Sequence, residues 1–158
     1  MGWFQAILNK IDQFNALSLY DVMQKLFNDD EFTDYIIYLN TQVQLYEQGI
    51  DATGKRLDSG RNGYAPSTIL VKEAKGQPVD RVTLKDTGAF YDSFKCYFIP
   101  DGGDGAIQIT ADTIKEQTDL LVEWGKDIIG LDEDSLALLR DMARTKLLTI
   151  VQSLKAAA

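Results

Sequence analysis

The chain has 158 residues, 45% of them apolar, with no histidine, one cysteine and a formal charge of -8. That length suits one domain, or one domain with a helical extension, and the apolar content is enough for a core, which excludes wholesale disorder. Without imidazole the usual general base and commonest metal ligand are gone, Cys96 has no partner for an internal disulfide, and the acidic balance opposes general nucleic-acid binding.

The charge is unevenly spread. Residues 51–100 hold eight basic and six acidic side chains, a balance of +2 that leaves -10 to the rest of the chain. A basic middle between acidic ends favours head-to-tail contacts between copies, although chance asymmetry on a solvated surface is the plainer reading. The start Met1-Gly2-Trp3-Phe4 lacks the charged leader and apolar core of a signal peptide, and no apolar run reaches the roughly 18 residues of a bilayer span. The expectation is a soluble protein without membrane association, made and kept in a reducing cytoplasm.

In chain order, Trp3, Ile7, Ile11 and Phe14 recur at helical spacing and predict an amphipathic first helix for core or partner packing. Ser18 is a cap for a second helix carrying Leu19, Val22, Met23, Leu26 and Phe27. Asn28-Asp29-Asp30 breaks and restarts the chain, and a third helix follows with Phe32, Tyr35, Ile36, Leu39, Val43 and Tyr46 on one side. It should stop near Gly49, because glycine readily takes the left-handed C-terminal conformation. From Asp51 to Gly63 the chain is polar and glycine-spaced, which predicts a mobile loop with little to bury. A helix can open at Ser67 after Pro66 and must end before Gly76 and Pro78, and Arg81 to Leu84 reads as a strand. Asp86, Thr87 and Gly88 predict the capped, tight entry to a short helix whose Phe90 and Phe94 form a ridge against the sheet, with Ser93 as a structural hydroxyl. Lys95–Ile99 and Ala106–Ala111 flank a turn-rich segment and predict a hairpin. After Asp112 the pattern is helical through Leu120, Leu121 and Trp124 to Gly125. The last helix starts on Asp132, with Leu131 and Leu136 as a hydrophobic staple and Leu139, Ala143, Leu147, Ile150 and Leu154 continuing its apolar seam.

Catalytic chemistry finds little support. Gly102-Gly103-Asp104-Gly105 sits in a hairpin turn rather than between a strand and a helix, so it is a poor phosphate cradle. Asp101 and Asp104 lack the spaced ligands of a calcium loop, and turn chemistry explains them better than a metal-dependent hydrolase does. Ser59, Ser93 and Cys96 have no histidine to activate them. The expectation is a protein that is not an enzyme, with no cofactor and no metal. Arg56, Arg61, Tyr64, Lys72, Lys75, Arg81 and Lys85 interleave cations with an aromatic ring, and DNA contact through them is a lesser expectation.

One stretch carries more than local pattern. Tyr64-Ala65-Pro66-Ser67-Thr68, then Lys72, then Leu84-Lys85-Asp86-Thr87-Gly88-Ala89-Phe90-Tyr91-Asp92-Ser93-Phe94 resembles the virion-morphogenesis or tail-completion (head-tail joining) proteins of tailed phages. In that family a polar loop ends in an aromatic residue, a proline and a threonine, and an Asp-Thr-Gly follows downstream. Trp124-Gly125 and Gly130-Leu131-Asp132-Glu133-Asp134 resemble the family's helix-end glycine and its entry to the final helix, although Lys126-Asp127-Ile128-Ile129 stands where Pro-x-Arg is frequent. The resemblance spans Leu45 to Leu154 and implies a structural virion protein whose copies form a ring or plug at the neck or tail. Its partners would be portal, neck or tail subunits and copies of itself. It would be made in the host bacterial cytoplasm and reside in the virion.

The combined expectation is an α+β fold, with helices on a small antiparallel sheet, an N-terminal helical segment (1–48) and an α+β domain (49–158) ending in a long helix. The extended loop at 51–63 would become ordered on assembly. Arg56, Arg61 and Tyr64 in or beside that loop, and Trp3 and Phe4 at the start of the chain, are the expected subunit contacts. The alternative is a cytoplasmic binding or regulatory module acting on a host protein.

Overall fold

The computed structural model describes residues 19–57, 64–99, 106–115 and 118–156. Helix α1 (Leu19–Phe27) turns Val22, Met23 and Leu26 fully inward at three-four spacing. Its expected cap, Ser18, and the stripe from Trp3 to Phe14 lie outside the described residues. Asp29 interrupts the chain in an extended conformation and caps α2 (Asp30–Tyr38), its carboxylate accepting the Glu31 N–H at 3.0 Å.

The third predicted helix is α-helical only to Tyr38. From Leu39 to Gln48 it widens into a π-helix, which ends on Gly49 at φ 64. A side chain at Gly49 would meet the Arg81 Cβ and the Val82 carbonyl oxygen at 3.0 Å, so glycine is required for both conformation and close approach. The π segment buries two amides, Asn40 and Gln44. Asn40 donates to the Ile128 carbonyl at 3.2 Å and accepts the Gly130 N–H at 2.9 Å. Gln44 donates to the Gly130 carbonyl and accepts the Asp132 N–H, both at 3.0 Å. All four side-chain bonds go to backbone groups of residues 128–132, a short stretch between helical elements that has no sheet ladder to satisfy it.

Helix α3 (Pro66–Ala74) follows the described part of the loop, and α4 (Ala89–Asp92) begins after Gly88, where φ is 101. Strands β1 (Lys95–Ile99) and β2 (Ala106–Thr110) form the expected antiparallel hairpin, with Cys96 opposite Ile109 and Phe98 opposite Ile107. These four face the core, and Tyr97 and Ile99 point outward. Phe98 stacks on Phe27 of α1 at 5.5 Å between ring centres. Two-residue strands β3 (Ile114–Lys115) and β4 (Thr118–Asp119) pair before α5 (Leu120–Trp124), and a 3-10 turn (Lys126–Ile128) leads toward α6 (Glu133–Ala156).

Helix α6 is capped by buried Asp132, which accepts the Ser135 N–H at 2.9 Å. Leu139, Ala143, Leu147 and Val151 bury its inner face against α1, α2 and the hairpin, while Ile150 and Leu154 pack at the edge of that core. Lys146 fastens it to the start of α2 through Asp29 at 2.6 Å and Glu31 at 2.7 Å. A second core gathers Leu45, Leu57, Val82, Tyr91, Phe94, Leu120 and Ile128. The architecture is α+β, with helices packed on a small antiparallel sheet and a long C-terminal helix closing it.

Three local expectations are corrected. Arg81–Leu84 forms no strand; side chains rather than a neighbouring strand take up the backbone groups of Thr83. The stretch after Asp112 forms the β3–β4 pair before any helix, because the Leu120 N–H closes back on the Thr113 carbonyl at 2.9 Å. The first half of the predicted mobile loop is a closed turn. There the Asp51 carboxylate accepts from the N–H groups of Thr53 and Lys55 and from the Thr53 hydroxyl, while Leu57 is buried.

Candidate functional site

Thr83 is fully buried, and four groups converge on it. Its N–H donates to the Tyr64 hydroxyl at 2.8 Å, and its carbonyl accepts the Tyr91 hydroxyl. Its Oγ1 accepts the Lys72 ammonium and the Lys85 N–H, both at 3.3 Å. Three stretches of the resemblance motif, separated in sequence, thus meet through four of their residues at one the motif does not include. Burial, with help from the neighbouring Tyr64 and Tyr46, pushes the Tyr91 phenol well above its ordinary range, so it is a permanent donor here.

Lys72 is the unusual member of the cluster. Helix α3 aims it inward, where it is only 6% exposed, and it has no carboxylate partner among the described residues. Its ammonium donates to Gln77 Oε1 at 3.1 Å, Thr83 Oγ1 and the Lys85 carbonyl at 2.9 Å, and it lies 4.7 Å from the centre of the Tyr64 ring. Three acceptors match its three donors, and the ring face adds attraction for the cation. Leu84 turns the chain at φ 54, a conformation that costs a non-glycine residue about 1–3 kcal/mol, so that the Lys85 carbonyl faces the amine. Gln77 completes the knot by donating to the Asp86 carbonyl at 3.0 Å.

Around this knot lies a groove of about 500 Å³ between α3, α5 and the Val82–Asp86 segment, walled by Tyr64, Val71, Leu84, Leu120 and Trp124. Lys72, Lys85 and Lys115 face it against Asp86 and Glu123. Asp86 is already shared by Lys75 at 2.5 Å and Lys115 at 2.9 Å, whose hydrogen bonds lower its carboxyl to about 2. The Lys85 ammonium lies over the Tyr46 and Tyr91 rings at 4.8 and 5.6 Å and, like Lys72, has no ion pair among the described residues. The groove is therefore apolar-walled with a surplus of cations.

Of the five expected contact residues, two are described. Arg56 is exposed, and its guanidinium reaches the Asp80 carbonyl at 3.3 Å. Tyr64 is half-buried and anchored by its hydroxyl, so it offers the groove a fixed ring rather than a free loop side chain. Trp3, Phe4 and Arg61 lie outside the described residues. The interleaved cations do not form one open stripe. Lys72 is buried, Lys75 is paired, Lys85 lies over rings, and Arg81 donates to the Tyr46 carbonyl at 2.8 Å.

The expected structural role of Ser93 is borne out, since its hydroxyl donates to the Phe90 carbonyl at 2.7 Å and accepts the Asp112 N–H at 2.9 Å. Thr87 accepts the Ala89 N–H at 3.3 Å, but the cap position of α4 is taken by Gly88, and Asp86, also expected as a cap, serves the two lysines. Burial pushes the Cys96 thiol up to about 12, far from a reactive thiolate at neutral pH. Asp101, Asp104 and Ser59 lie outside the described residues, and among the described residues no three acidic or cysteine side chains are grouped to hold a metal. No described helix is long and apolar enough to cross a membrane.

Sequence reasoning missed Thr83 and the burial of Lys72. A threonine in a β-like run carries no sign that its backbone serves side chains, and a lysine after Val71 on a short helix reads as solvated. The available signal was the helical offset from Thr68 to Lys72, which puts them on one face. Comparison with known proteins finds no matching family model, no similar curated protein and no similar solved structure.

Proposed function

We propose that the chain is a structural subunit of a tailed-phage virion that joins or completes the neck or tail by fitting against neighbouring portal, neck or tail subunits. The observation that carries this reading is the convergence on Thr83. Tyr64, Lys72, Lys85 and Tyr91 all belong to the stretch that resembles the tail-completion family, and they build a rigid knot below an apolar-walled, cationic groove. Such a site suits docking of protein surface. Its polar atoms are tied to one another beneath an apolar wall.

On this reading Arg56, Tyr64, Arg61, Trp3 and Phe4 meet neighbouring subunits, Tyr64 from the wall of the groove. The protein is made in the host bacterial cytoplasm and ends in the virion. Mass spectrometry of purified particles, together with electron microscopy of particles made without this chain, tests the proposal. The expected result is the chain in stoichiometric amount in the particles and, without it, heads and tails that do not join or tails that stay unfinished. Particles that lack the chain and form normally without it would overturn the reading. Capture of a single host protein by the chain would then favour the regulatory alternative.

A further inference from the structure

Helix α6 has a second face that the fold leaves open. Opposite its buried seam, Asp134, Leu138, Asp141, Thr145 and Leu148 recur at alternating four- and three-residue spacing, and all five are exposed. Leu138 and Leu148 are 48% and 44% exposed, large values for leucines on so long a helix. Leu138 stands between two carboxylates. Asp134 has no ion pair among the described residues, and Asp141 has only a loose one to Arg144 at 3.8 Å. The ridge from Asp134 to Asp141 is about 10 Å long at 1.5 Å per residue.

The groove has the complementary character. Its wall carries Val71, 51% exposed, facing the same space as Trp124, and its cations Lys72 and Lys85 are unpaired by any described carboxylate. A buried or half-buried ammonium without a counter-ion gains from an anion that arrives with the water excluded. Several other acidic side chains are already engaged: Asp29 and Glu31 by Lys146, Asp80 by Arg81, Glu133 by Arg140. The α6 ridge sets an exposed leucine between two carboxylates, one without an ion pair among the described residues and one only loosely paired.

We infer that the groove of one copy of this chain receives the Asp134–Leu138–Asp141 ridge of a second copy. Leu138 fills the space between Val71 and Trp124, and the two aspartates face the lysine-bearing wall. Because groove and ridge are different surfaces, the contact is heterologous: every copy can give a ridge and take one, and the series extends until it closes into a ring. This names the self-contact within the assembly proposed above and rests on that reading for its setting.

The test uses two exposed positions on the full chain, Val71→Glu in the groove and Leu138→Glu on the ridge, with circular dichroism to check that each variant is folded. Light scattering of the unsubstituted protein should give a mass that rises with concentration above the 17.7 kDa of one chain. Each variant alone should remain a single chain. An equimolar mixture should form a two-chain species and stop there, because the intact groove of the Leu138→Glu chain takes the intact ridge of the Val71→Glu chain. An unsubstituted protein that stays monomeric at millimolar concentration, variants that still self-associate, or a mixture without the two-chain species would each overturn the inference. The chain's presence in particles is measured separately, so loss of this contact and loss of the virion reading give different results.

Discussion

Lys72 holds its charge among neutral acceptors, and that makes it sensitive to removal. Lys72→Met should lower stability by about 1–3 kcal/mol, because Gln77, Thr83 and the Lys85 carbonyl each lose a donor in a buried setting. Thermal unfolding should show this as a fall of roughly 2–4 °C per kcal/mol for a chain of this size. An unchanged melting temperature would mean that water replaces the amine at no cost. Asp86 predicts a pH effect. Its folded value near 2 lies below the ordinary 3.8, so its contribution to stability is present above 3.8 and is lost as pH falls through about 2. Asp86→Asn should therefore flatten the stability profile across that interval, by a small amount because the carboxylate is 43% exposed and its ion pairs are screened. Urea titrations at stepped pH would reveal it. The residues of this cluster were visible in the sequence as a motif, but their meeting point was not, since Thr83 lies outside the motif and half of its bonds use backbone atoms that no side-chain pattern records.

At the level of elements, the two faces of α6 should respond differently to the same change. Leu147→Ala removes a fully buried side chain from the first core and should cost about 2–5 kcal/mol. Leu138→Ala, on the open face, should alter monomer stability by no more than about 0.5 kcal/mol. Chemical denaturation of both variants gives the comparison directly; equal losses would place Leu138 in a core. Helices α1, α2 and α6 and the β1–β2 hairpin were legible because each buries one face with its own period, and tertiary packing follows that period. The π segment was not legible. Its buried positions Asn40 and Gln44 are four apart, as they would be in an α-helix, and their partners lie some 86 to 90 residues further along the chain. The β3–β4 pair was hidden by its length, two residues a strand, which leaves no alternation to read.

For the whole molecule, the separation of charge noticed in the sequence acquires a geometry. The cationic groove lies in the middle of the chain and the acidic ridge near its end, on elements that do not share a surface patch. Self-association through them should weaken as salt rises, because the screening length falls from about 10 Å at 0.1 M to about 3 Å at 1 M. The weakening should be partial, since burial of Leu138 is insensitive to ionic strength. Sedimentation across a salt series measures both parts, and a strengthening with salt would assign the contact to apolar surface alone. Composition fixed the absence of imidazole from the start; which cations would stay uncompensated depended on burial, and only the folded chain reveals it.

Cys96 offers a clock for the fold itself. It is the chain's single thiol, on the inner side of β1, with its proton held by burial. Cys96 is half-buried, so a thiol-specific dye in excess should label it slowly in the closed fold and faster when the hairpin lifts from α1 and α2, and the labelling rate reports those openings. If neighbouring copies brace the hairpin, that clock should slow as the protein is concentrated, giving a colour-based measure of how assembly quiets the subunit.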